Sequence, residues 1–356
     1  MSSLKMAVVG VGALGRHHAR ILSELQSVDL VAVAETNRTA GEAVAEKCGT
    51  RWVADYRELF DKVDAVSIVV PTFAHLAVAS EFLSRRIPVL VEKPLAPNLD
   101  QAQRLVDLAE EANTILQVGH IERFNPATPI AWSLCGAPKY IRAERVSPYA
   151  FRSTDIGAIH DLMIHDLDLV LDLADSPVRS VEAFGISILG ENEDTVQARV
   201  TFESGCIADV TANRVNPASS RTMQIWSARG TVTVDFTSRE VVAYGPSDTL
   251  LHGISPLQRA KQPGADIEQL KGEIFGKFLN VERPAVPQTD ALTAELTSFV
   301  DCVQNNRRPL VDGRIALKAM QLADQILISV RSHQWDGHAG GAIGPFARPS
   351  QHKRAA

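Results

Sequence analysis

Short apolar runs alternate with helix-like stretches over the first third of the chain. Five runs rich in valine and isoleucine have the length of buried strands, at residues 6–9, 28–35, 64–71, 88–92 and 114–120. Apolar residues recur at helical spacing between them, and Asn98 is a typical N-cap for a helix that begins near Leu99. Because strands separated by such helices are joined by right-handed crossovers, the pattern predicts a doubly wound parallel sheet, a Rossmann domain over residues 1–121.

The pattern changes in the second half, where strand-like runs follow one another with few helices between them. These runs lie at residues 139–146, 181–189, 195–202, 206–215, 223–227 and 231–236, with helical stretches at 157–173, 291–305 and 314–332. Short turns such as Glu203-Ser204-Gly205 favour antiparallel hairpins. The pattern predicts an α+β domain over residues 122–333, built on an open, largely antiparallel sheet with helices on one face.

Two further expectations follow from this second half. An open sheet needs a cover on its other face, so we expect a homodimer or homotetramer that forms through the C-terminal sheet. The segment 246–288 is predicted to be irregular, and residues 334–356 are predicted to form a flexible tail.

Composition and charge narrow the function. The chain has 356 residues, of which 45% are hydrophobic, and a formal net charge of -6, which argues against nucleic acid as a partner. No apolar stretch reaches the length of about 18 residues that a membrane span needs. Its four cysteines are scattered and form no C-x-x-C pair, so we expect a soluble cytoplasmic protein with reduced thiols and no metal site.

A glycine-rich loop follows the first predicted strand. Gly10-x-Gly12-x-x-Gly15 lies between a strand and a helix, where it allows a tight turn and a close approach of the backbone to a pyrophosphate. Glu35, at the end of the second predicted strand, lies where an acid binds ribose hydroxyls and repels a 2′-phosphate. The loop therefore predicts NAD in preference to NADP, although the nearby Arg38 is able to reach a 2′-phosphate.

Three polar residues are candidates for acid–base chemistry. Lys93 closes a predicted parallel strand, where α/β sheets place their ligands, and Pro94 fixes the backbone after it. Asp161 and His165 are four residues apart and share one face of a predicted helix. His160-Asp161 repeats the pair His165-Asp166, but only His165 has an acid four residues earlier. A surface or helix-capping role is the alternative for each of these groups.

Four motifs in this order resemble one known family. They are Gly10-Val11-Gly12-Ala13-Leu14-Gly15, Pro71-Thr72-Phe73-Ala74-His75, Glu92-Lys93-Pro94 and Asp161-Leu162-Met163-Ile164-His165-Asp166. They are similar to the glucose–fructose oxidoreductase/inositol dehydrogenase (Gfo/Idh/MocA) family, and the resemblance runs from Lys5 to about Val330. Members commonly carry Asp-Ile-Gly-x-His, whereas this chain has Leu162 and Met163, which leaves the shape of the substrate pocket open.

The resemblance implies a role for each motif. Lys93 is then the lysine near the reacting hydroxyl, with Asp161 and His165 as its acid–base partners. His75 and Thr72 are expected to face the cofactor, with helix packing as the alternative role for His75. The full set expected at the cofactor is Gly10, Gly12, Ala13, Leu14, Gly15, Glu35, Arg38, Pro71, Thr72, His75, Glu92 and Lys93.

Residues 119–126 and 162–166 are most similar to the branch of this family that acts on nucleotide sugars. That branch oxidises C3 of UDP-N-acetylglucosamine, ahead of amination for lipid A or surface sugars. The expected substrate contacts are Lys93, Arg123, Asn125 and His165. The alternative for Arg123 is an interdomain salt bridge, and the alternative for Asn125 is a turn-forming role.

The segment 246–288 is also a candidate contact for such a substrate. Its basic residues Lys271, Lys277 and Arg283 are candidates to cover a uridine diphosphate.

Two other functions stay open. A dehydrogenase of a free cyclitol or sugar, such as an inositol dehydrogenase, uses the same chemistry and predicts indifference to UDP. A non-catalytic NAD(P)-binding sensor belongs to another class and predicts cofactor binding without turnover.

Overall fold

The computed structural model describes residues 3–151, 156–335, 338–339 and 342–346. The chain forms two compact units, of which the first is Met1–Phe124 with Thr289–Asp324 and the second is Asn125–Gln288 with Gln325–Ala356. The sequence predicted residues 122–333 as one continuous domain, whereas in the structure residues 289–324 belong to the first unit. Most of the predicted tail, 334–356, lies outside the described residues.

The first unit is built on a parallel six-stranded sheet with the order β3-β2-β1-β4-β5-β6. Its strands are β1 (Leu4–Val9), β2 (Val28–Ala34), β3 (Arg51–Val53), β4 (Ala65–Ile68), β5 (Val89–Glu92) and β6 (Leu116–Gly119). Its first helices are α1 (Gly15–Glu24), α2 (Arg38–Cys48), α3 (His75–Leu83) and α4 (Leu99–Glu111). Each of the five predicted runs overlaps one of these strands, and the short β3 was not predicted. The predicted Rossmann sheet is confirmed.

Side-chain caps fix where two of these helices begin. The Asn98 side chain accepts a hydrogen bond from the Gln101 amide, which confirms it as the N-cap of α4. Asn37 caps α2 in the same way through the Ala40 amide. The sequence pattern did not reveal α2, because only Gly41 and Ala45 are buried on that helix.

The second unit holds an eight-stranded sheet with the order β14-β13-β12-β11-β7-β10-β9-β8. Its strands are β7 (Pro138–Val146), β8 (Val178–Ile186), β9 (Thr195–Phe202), β10 (Ile207–Asn213), β11 (Ser220–Ser227), β12 (Gly230–Asp235), β13 (Glu240–Pro246) and β14 (Leu279–Glu282). Only the β7–β10 pair is parallel among the described strands of this sheet, so the predicted, largely antiparallel α+β domain is confirmed.

Helices of the second unit precede and interrupt this sheet. They are α5 (Ala127–Cys135), a π-helical turn at Ile159–Met163, α6 (Ile164–Ala174), α7 (Asp248–His252), α8 (Pro256–Ala260) and α9 (Ile267–Glu273). The segment 246–288 is therefore not irregular as predicted. Ser247, Ser255 and Asp266 each cap one of its short helices, and a kinked turn at Ile274–Phe278 leads into β14.

Helices α10 (Ala291–Asn305) and α11 (Gly313–Ser332) follow, and two short strands, β15 (Gln334–Trp335) and β16 (His338–Ala339), pair after them. Helix α10 belongs to the first unit because its apolar face completes the core of that unit. Leu292, Leu296 and Phe299 pack in one buried cluster with Leu22 of α1 and Leu90 of β5. Burial of these side chains explains why a segment so late in the chain joins the first sheet.

A buried ion pair ties together two parts of the second unit. Arg214, just after β10, lies 2.8 Å from Asp194 through its Nε, and both side chains are at most 7% exposed. A second nitrogen of Arg214 donates to the carbonyl oxygen of Ile156. The guanidinium therefore neutralises a carboxylate that has almost no access to water.

We predict that Arg214→Leu destabilises the protein by about 3–5 kcal/mol, because it leaves the Asp194 carboxylate buried without a counter-charge. Arg199→Leu is the matched control, since Arg199 pairs with Asp209 but is 57% exposed, and it should lower the free energy of unfolding much less because water screens the exposed pair. Urea denaturation of both variants measures the difference. Equal losses in the two variants would contradict the assignment.

Candidate cofactor and catalytic site

The glycine loop between β1 and α1 brings two backbone segments into contact. A Cβ on Gly15 would lie 1.9 Å from the Gly10 carbonyl oxygen, and Gly10 itself has a φ of +85°. A Cβ on Gly12 would meet nothing within 4 Å, so open space lies beside that residue. Gly10 and Gly15 are therefore required by packing, whereas Gly12 leaves room for a ligand.

The start of α1 suits an anionic group. The exposed residues Ala13 and Leu14 lead into the helix, and no side chain caps it at Leu14. Backbone N–H groups at an uncapped helix start attract phosphate through their partial positive charge. The loop thus fits the pyrophosphate of a dinucleotide.

Glu35 follows β2 and is held against the same loop. Its two carboxylate oxygens accept the amides of Val11 at 3.0 Å and Asn37 at 2.9 Å. Arg38 lies at the start of α2, three-quarters exposed, where it pairs with Glu42 at 2.8 Å and lies over the Trp52 ring. The acid beside the loop is therefore fixed in place, while the arginine is balanced by an acid of its own.

Lys93 follows the last residue of β5 and is half-buried. Its amide donates to the Glu92 carboxylate at 3.3 Å, and the Lys93–Pro94 peptide bond is cis. Both residues lie at the carboxyl edge of the parallel sheet, which is where ligands bind in this class of fold.

His75 begins α3, and its ring is enclosed by backbone carbonyl groups. Nδ1 lies 3.0 Å from the Pro94 oxygen, and Nε2 lies 3.0 Å from the Val70 oxygen. Burial lowers the pKa of this imidazole. His75 thereby links the end of β4 to the segment after Lys93. The exposed Pro71 and half-buried Thr72 lie just before it, and contacts of all three with a cofactor stay a prediction.

His120 and Arg123 follow β6 and are both buried. Burial, followed by the positive charges of Lys93 and Arg123, lowers the pKa of His120 to about 3. A neutral imidazole therefore lies within electrostatic range of Lys93. Sequence reasoning did not single out His120, because one histidine after a strand has no distinctive spacing.

Asn125 uses its side chain within the fold of the second unit. Its amide nitrogen donates to the Phe236 carbonyl at 3.1 Å, and its oxygen accepts the Ala127 amide at 3.1 Å. These contacts match the structural alternative for this residue, a turn-forming asparagine.

Asp161 and His165 lie where the π-helical turn passes into α6. The Ile164 amide bonds to the Ile159 carbonyl, an i→i+5 contact, so Asp161 is in the π turn and His165 is in the first turn of α6. The sequence predicted a helical stretch over residues 157–173 but did not reveal the π turn within it. The π turn changes which side chains share a face, and such turns are frequent at functional sites.

The start of the π turn is held by a buried acid. A Cβ on Gly157 would lie 1.9 Å from the Glu193 carboxylate, which accepts the Ile159 amide at 3.3 Å. Burial raises the pKa of Glu193. Asp161 is buried, His165 is half-buried, and Met163 is fully buried in the core of this unit.

Each of the three basic residues proposed to cover a substrate has an acidic neighbour. The ion pairs are Lys271–Glu268 at 2.7 Å, Lys277–Glu273 at 2.7 Å and Arg283–Glu240 at 2.6 Å. Their charges are therefore balanced within the segment 246–288 and its neighbouring strand.

Two kinds of feature are absent from the described residues. No group of His, Cys, Asp or Glu side chains there is arranged to hold a metal ion. Nor does that part of the chain contain a helix with the length and apolar character required to cross a membrane.

A Rossmann sheet with a glycine loop open to a ligand and an acid after β2 is the arrangement of a dinucleotide-binding domain. Residues 4–120 match the model of the oxidoreductase family with an NAD-binding Rossmann fold. Residues 135–233 match the GFO/IDH/MocA C-terminal domain. The chain therefore belongs to the Gfo/Idh/MocA family of oxidoreductases and has the fold of an enzyme that uses a nicotinamide cofactor.

Individual relatives span almost the whole chain. A UDP-N-acetylglucosamine 3-dehydrogenase of Acidithiobacillus ferrooxidans is 31% identical over 333 residues, which cover 93% of this chain and 99% of the relative. The NAD(+)-dependent scyllo-inositol 2-dehydrogenase of Bacillus subtilis is 27% identical over 328 residues, covering 86% and 88%.

Two solved structures are similar to this chain over most of its length. The structure of the Acidithiobacillus ferrooxidans enzyme has a TM-score of 0.80 at 31% identity, covering 92% of this chain and 98% of that chain. A scyllo-inositol dehydrogenase from Lactobacillus casei, solved with NAD(H) and scyllo-inositol, has a TM-score of 0.70 at 19% identity, covering 92% and 97%. The second likeness shows the shared fold.

We predict that Gly15→Ala lowers the free energy of unfolding by about 1–3 kcal/mol, because the new Cβ overlaps the Gly10 carbonyl oxygen. Gly12→Ala, in open space, should change that free energy by less than about 0.5 kcal/mol but weaken binding of the nicotinamide cofactor. Denaturant unfolding and calorimetric titration separate the two effects. A Gly12→Ala protein as unstable as Gly15→Ala would refute the packing argument.

Proposed function

We propose that this protein oxidises a secondary hydroxyl group of a nucleotide sugar with NAD, and that the position oxidised is C3 of UDP-N-acetylglucosamine. The observation that carries the proposal is the 31% identity to a UDP-N-acetylglucosamine 3-dehydrogenase over 93% of this chain. The groups that such a reaction needs, Lys93, Asp161 and His165, are all present.

NAD is the proposed form of the cofactor. The Glu35 carboxylate is held beside the glycine loop by two backbone amides, and a carboxylate there binds ribose hydroxyls and repels a 2′-phosphate. Arg38 lies near this acid but already pairs with Glu42. These contacts support NAD over NADP.

Oxidation of an alcohol removes a hydride from carbon and a proton from oxygen. A nicotinamide cofactor held at the glycine loop and Glu35 would supply the hydride acceptor. Lys93 holds the oxygen that becomes the carbonyl group, and His165 or Lys93 accepts the hydroxyl proton. Asp161, an acid, stabilises the positive charge that His165 gains when it takes a proton.

A free cyclitol or sugar is the second candidate substrate. It is favoured by the 27% identity to a scyllo-inositol 2-dehydrogenase and by the balanced charges of Lys271, Lys277 and Arg283, which leave the segment 246–288 without an excess of positive charge for a diphosphate. A non-catalytic cofactor-binding sensor would bind NAD and turn over neither class of substrate.

The proposal predicts a ketone product from UDP-N-acetylglucosamine. Purified protein with NAD, this substrate and hydroxylamine should yield the trapped oxime of the 3-keto sugar nucleotide, read by mass spectrometry. Trapping is needed because an unfavourable equilibrium would hide the absorbance of NADH. NADP in place of NAD should give less product, because the Glu35 carboxylate repels the 2′-phosphate of NADP. An oxime from inositol and none from the nucleotide sugar would replace the first substrate with the second.

Lys93→Met should lower turnover by about 10²–10⁴-fold, because the variant loses the group that holds the reacting oxygen. Lys62→Met is the matched control, since Lys62 is an exposed lysine of the same unit, and it should retain the wild-type rate. The initial rate of oxime formation from UDP-N-acetylglucosamine, with hydroxylamine present and the product read by mass spectrometry, measures this loss. Normal turnover by Lys93→Met would remove Lys93 from the mechanism.

A further inference from the structure

A line of polar side chains crosses the otherwise apolar layer between the first sheet and helices α1 and α10. Strand register aligns Ser67 of β4 with Leu90 of β5, and Leu90 with Gln117 of β6. Glu92 is aligned with Gly119 in the same way. Because alternate residues of a strand share a face, all five positions lie on one face of the sheet.

Helix α1 contributes a histidine to this line. His18 is fully buried, and its Nδ1 lies 2.8 Å from the Ser67 hydroxyl oxygen. Its Nε2 lies 3.1 Å from a Glu92 carboxylate oxygen, at ion-pair distance but without an aligned hydrogen bond. The imidazole therefore links the middle of β4 to the carboxyl edge of β5.

Glu92 lies at that edge, where its side chain is 12% exposed. Its carboxylate covers Gly119 so closely that a Cβ on this glycine would lie 2.9 Å from the carboxylate atoms. The second carboxylate oxygen accepts the Lys93 amide. Glu92 is thus fixed from three sides, next to the proposed catalytic lysine.

Helix α10 contributes a second acid, Glu295, which is fully buried. Its backbone carbonyl accepts the Gln117 side-chain amide at 3.3 Å, but its carboxyl oxygens have no hydrogen-bond partner among the described residues. Burial, followed by the charge of Glu92, raises the pKa of the Glu295 carboxyl well above its ordinary value. Two unscreened carboxylates at this depth are too costly to coexist.

The charged and titratable groups that lie within electrostatic range of Glu92 come from several elements. They are His18 of α1, His75 of α3, Lys93 after β5 and Glu295 of α10. The negative charge of Glu92 opposes the lowering of the His75 pKa by burial. Two buried residues after β6 also interact electrostatically near Lys93. His120 is a neutral ring, and Arg123 carries a positive charge.

The position of Glu92 relates this cluster to the cofactor. In a sheet of this order a dinucleotide crosses the carboxyl edge at the β1–β4 switch point. If Glu35 after β2 holds the adenosine ribose, the nicotinamide half reaches the ends of β4 and β5. The oxidised ring carries one more positive charge than the reduced ring, so the charge on Glu92 affects the two forms differently.

We propose that Glu92 and Glu295 hold a single negative charge between them, with the proton on Glu295, and that this charge strengthens binding of NAD⁺ relative to NADH. The cofactor part rests on the proposed function. Glu295 is a positioning residue, because it acts through Glu92. When Glu295 is protonated, the only negative charge of the pair is that of Glu92 at the edge of β5. An ionised Glu295 would add a second negative charge that repels the charge of Glu92.

Infrared spectroscopy tests the proton directly. The wild-type protein at neutral pH should show a carboxylic-acid C=O band that Glu295→Gln removes. In Glu92→Gln the same band should titrate at lower pH, because Glu295 has lost the negative neighbour that favours its protonated form. A difference spectrum of the wild type minus Glu295→Gln that lacks this band, or a midpoint that Glu92→Gln does not move, would overturn the shared charge.

Cofactor affinities test the consequence. Dissociation constants for NAD⁺ and NADH are measured by calorimetric titration of the wild type and both variants. Glu92→Gln should lower the preference for NAD⁺ by about tenfold, a change of one charge at partly screened range. Glu295→Gln should keep the wild-type ratio within about twofold, as should Glu24→Gln, an exposed acid of α1. A Glu295→Gln protein that loses the preference as Glu92→Gln does would show that Glu295 is ionised and overturn the proposal.

The two parts can fail separately. A wild-type protein that binds neither NAD⁺ nor NADH would overturn the proposed function and the cofactor part together, while the infrared bands still decide the shared charge. Should Glu92→Gln fail to fold, the comparison of the wild type with Glu295→Gln alone decides whether Glu295 is an acid.

Discussion

The contact between Gly10 and Gly15 determines where α1 begins, and the rest of the first unit depends on it. No side chain fits between these residues, so the helix starts directly against the end of β1. That start leaves open space at Gly12 and places His18, almost one turn later, between Ser67 and Glu92. A backbone contact thus determines both the opening for a cofactor and the polar contacts beneath it.

The second unit contains polar side chains within a largely buried helical segment. Asp161, Asp166 and Asp168 are all buried in or just after the π turn. Arg145 of β7 pairs with Asp166 at 2.9 Å, with both side chains nearly inaccessible. Burial of carboxylates near β7 is tolerable because such counter-charges come from the sheet.

Local patterns predicted local structure well. Three features depend only on residues close together in the sequence: the runs of valine and isoleucine, the glycine loop and the Asn98 cap. The structure confirms the sheet and the cap. The π turn was not predicted because apolar residues occur on most sides of the segment 159–174. Such a pattern is compatible with both an α-helix and a π-helical turn. The short helices after Ser247 escaped because no buried side chain marks a face.

Contacts between distant parts of the chain were not predictable in the same way. Glu295 looks like an ordinary helical acid until α10 is placed against the face that carries Glu92. Glu295 is buried because it packs against a strand about two hundred residues earlier in the chain. The local periodicity of hydrophobic residues carries no information about such a contact. Of the candidate site, the residue types were readable from sequence, whereas the charges around them depend on this tertiary arrangement.

The late position of α10 in the sequence has a consequence for synthesis of the protein. During translation the first sheet emerges long before Leu292, Leu296 and Phe299, which cover Leu22 and Leu90 in the finished core. Until those residues leave the ribosome, an apolar face that includes β5 remains exposed to water. The first unit therefore completes its core only after the strands of the second unit have been made.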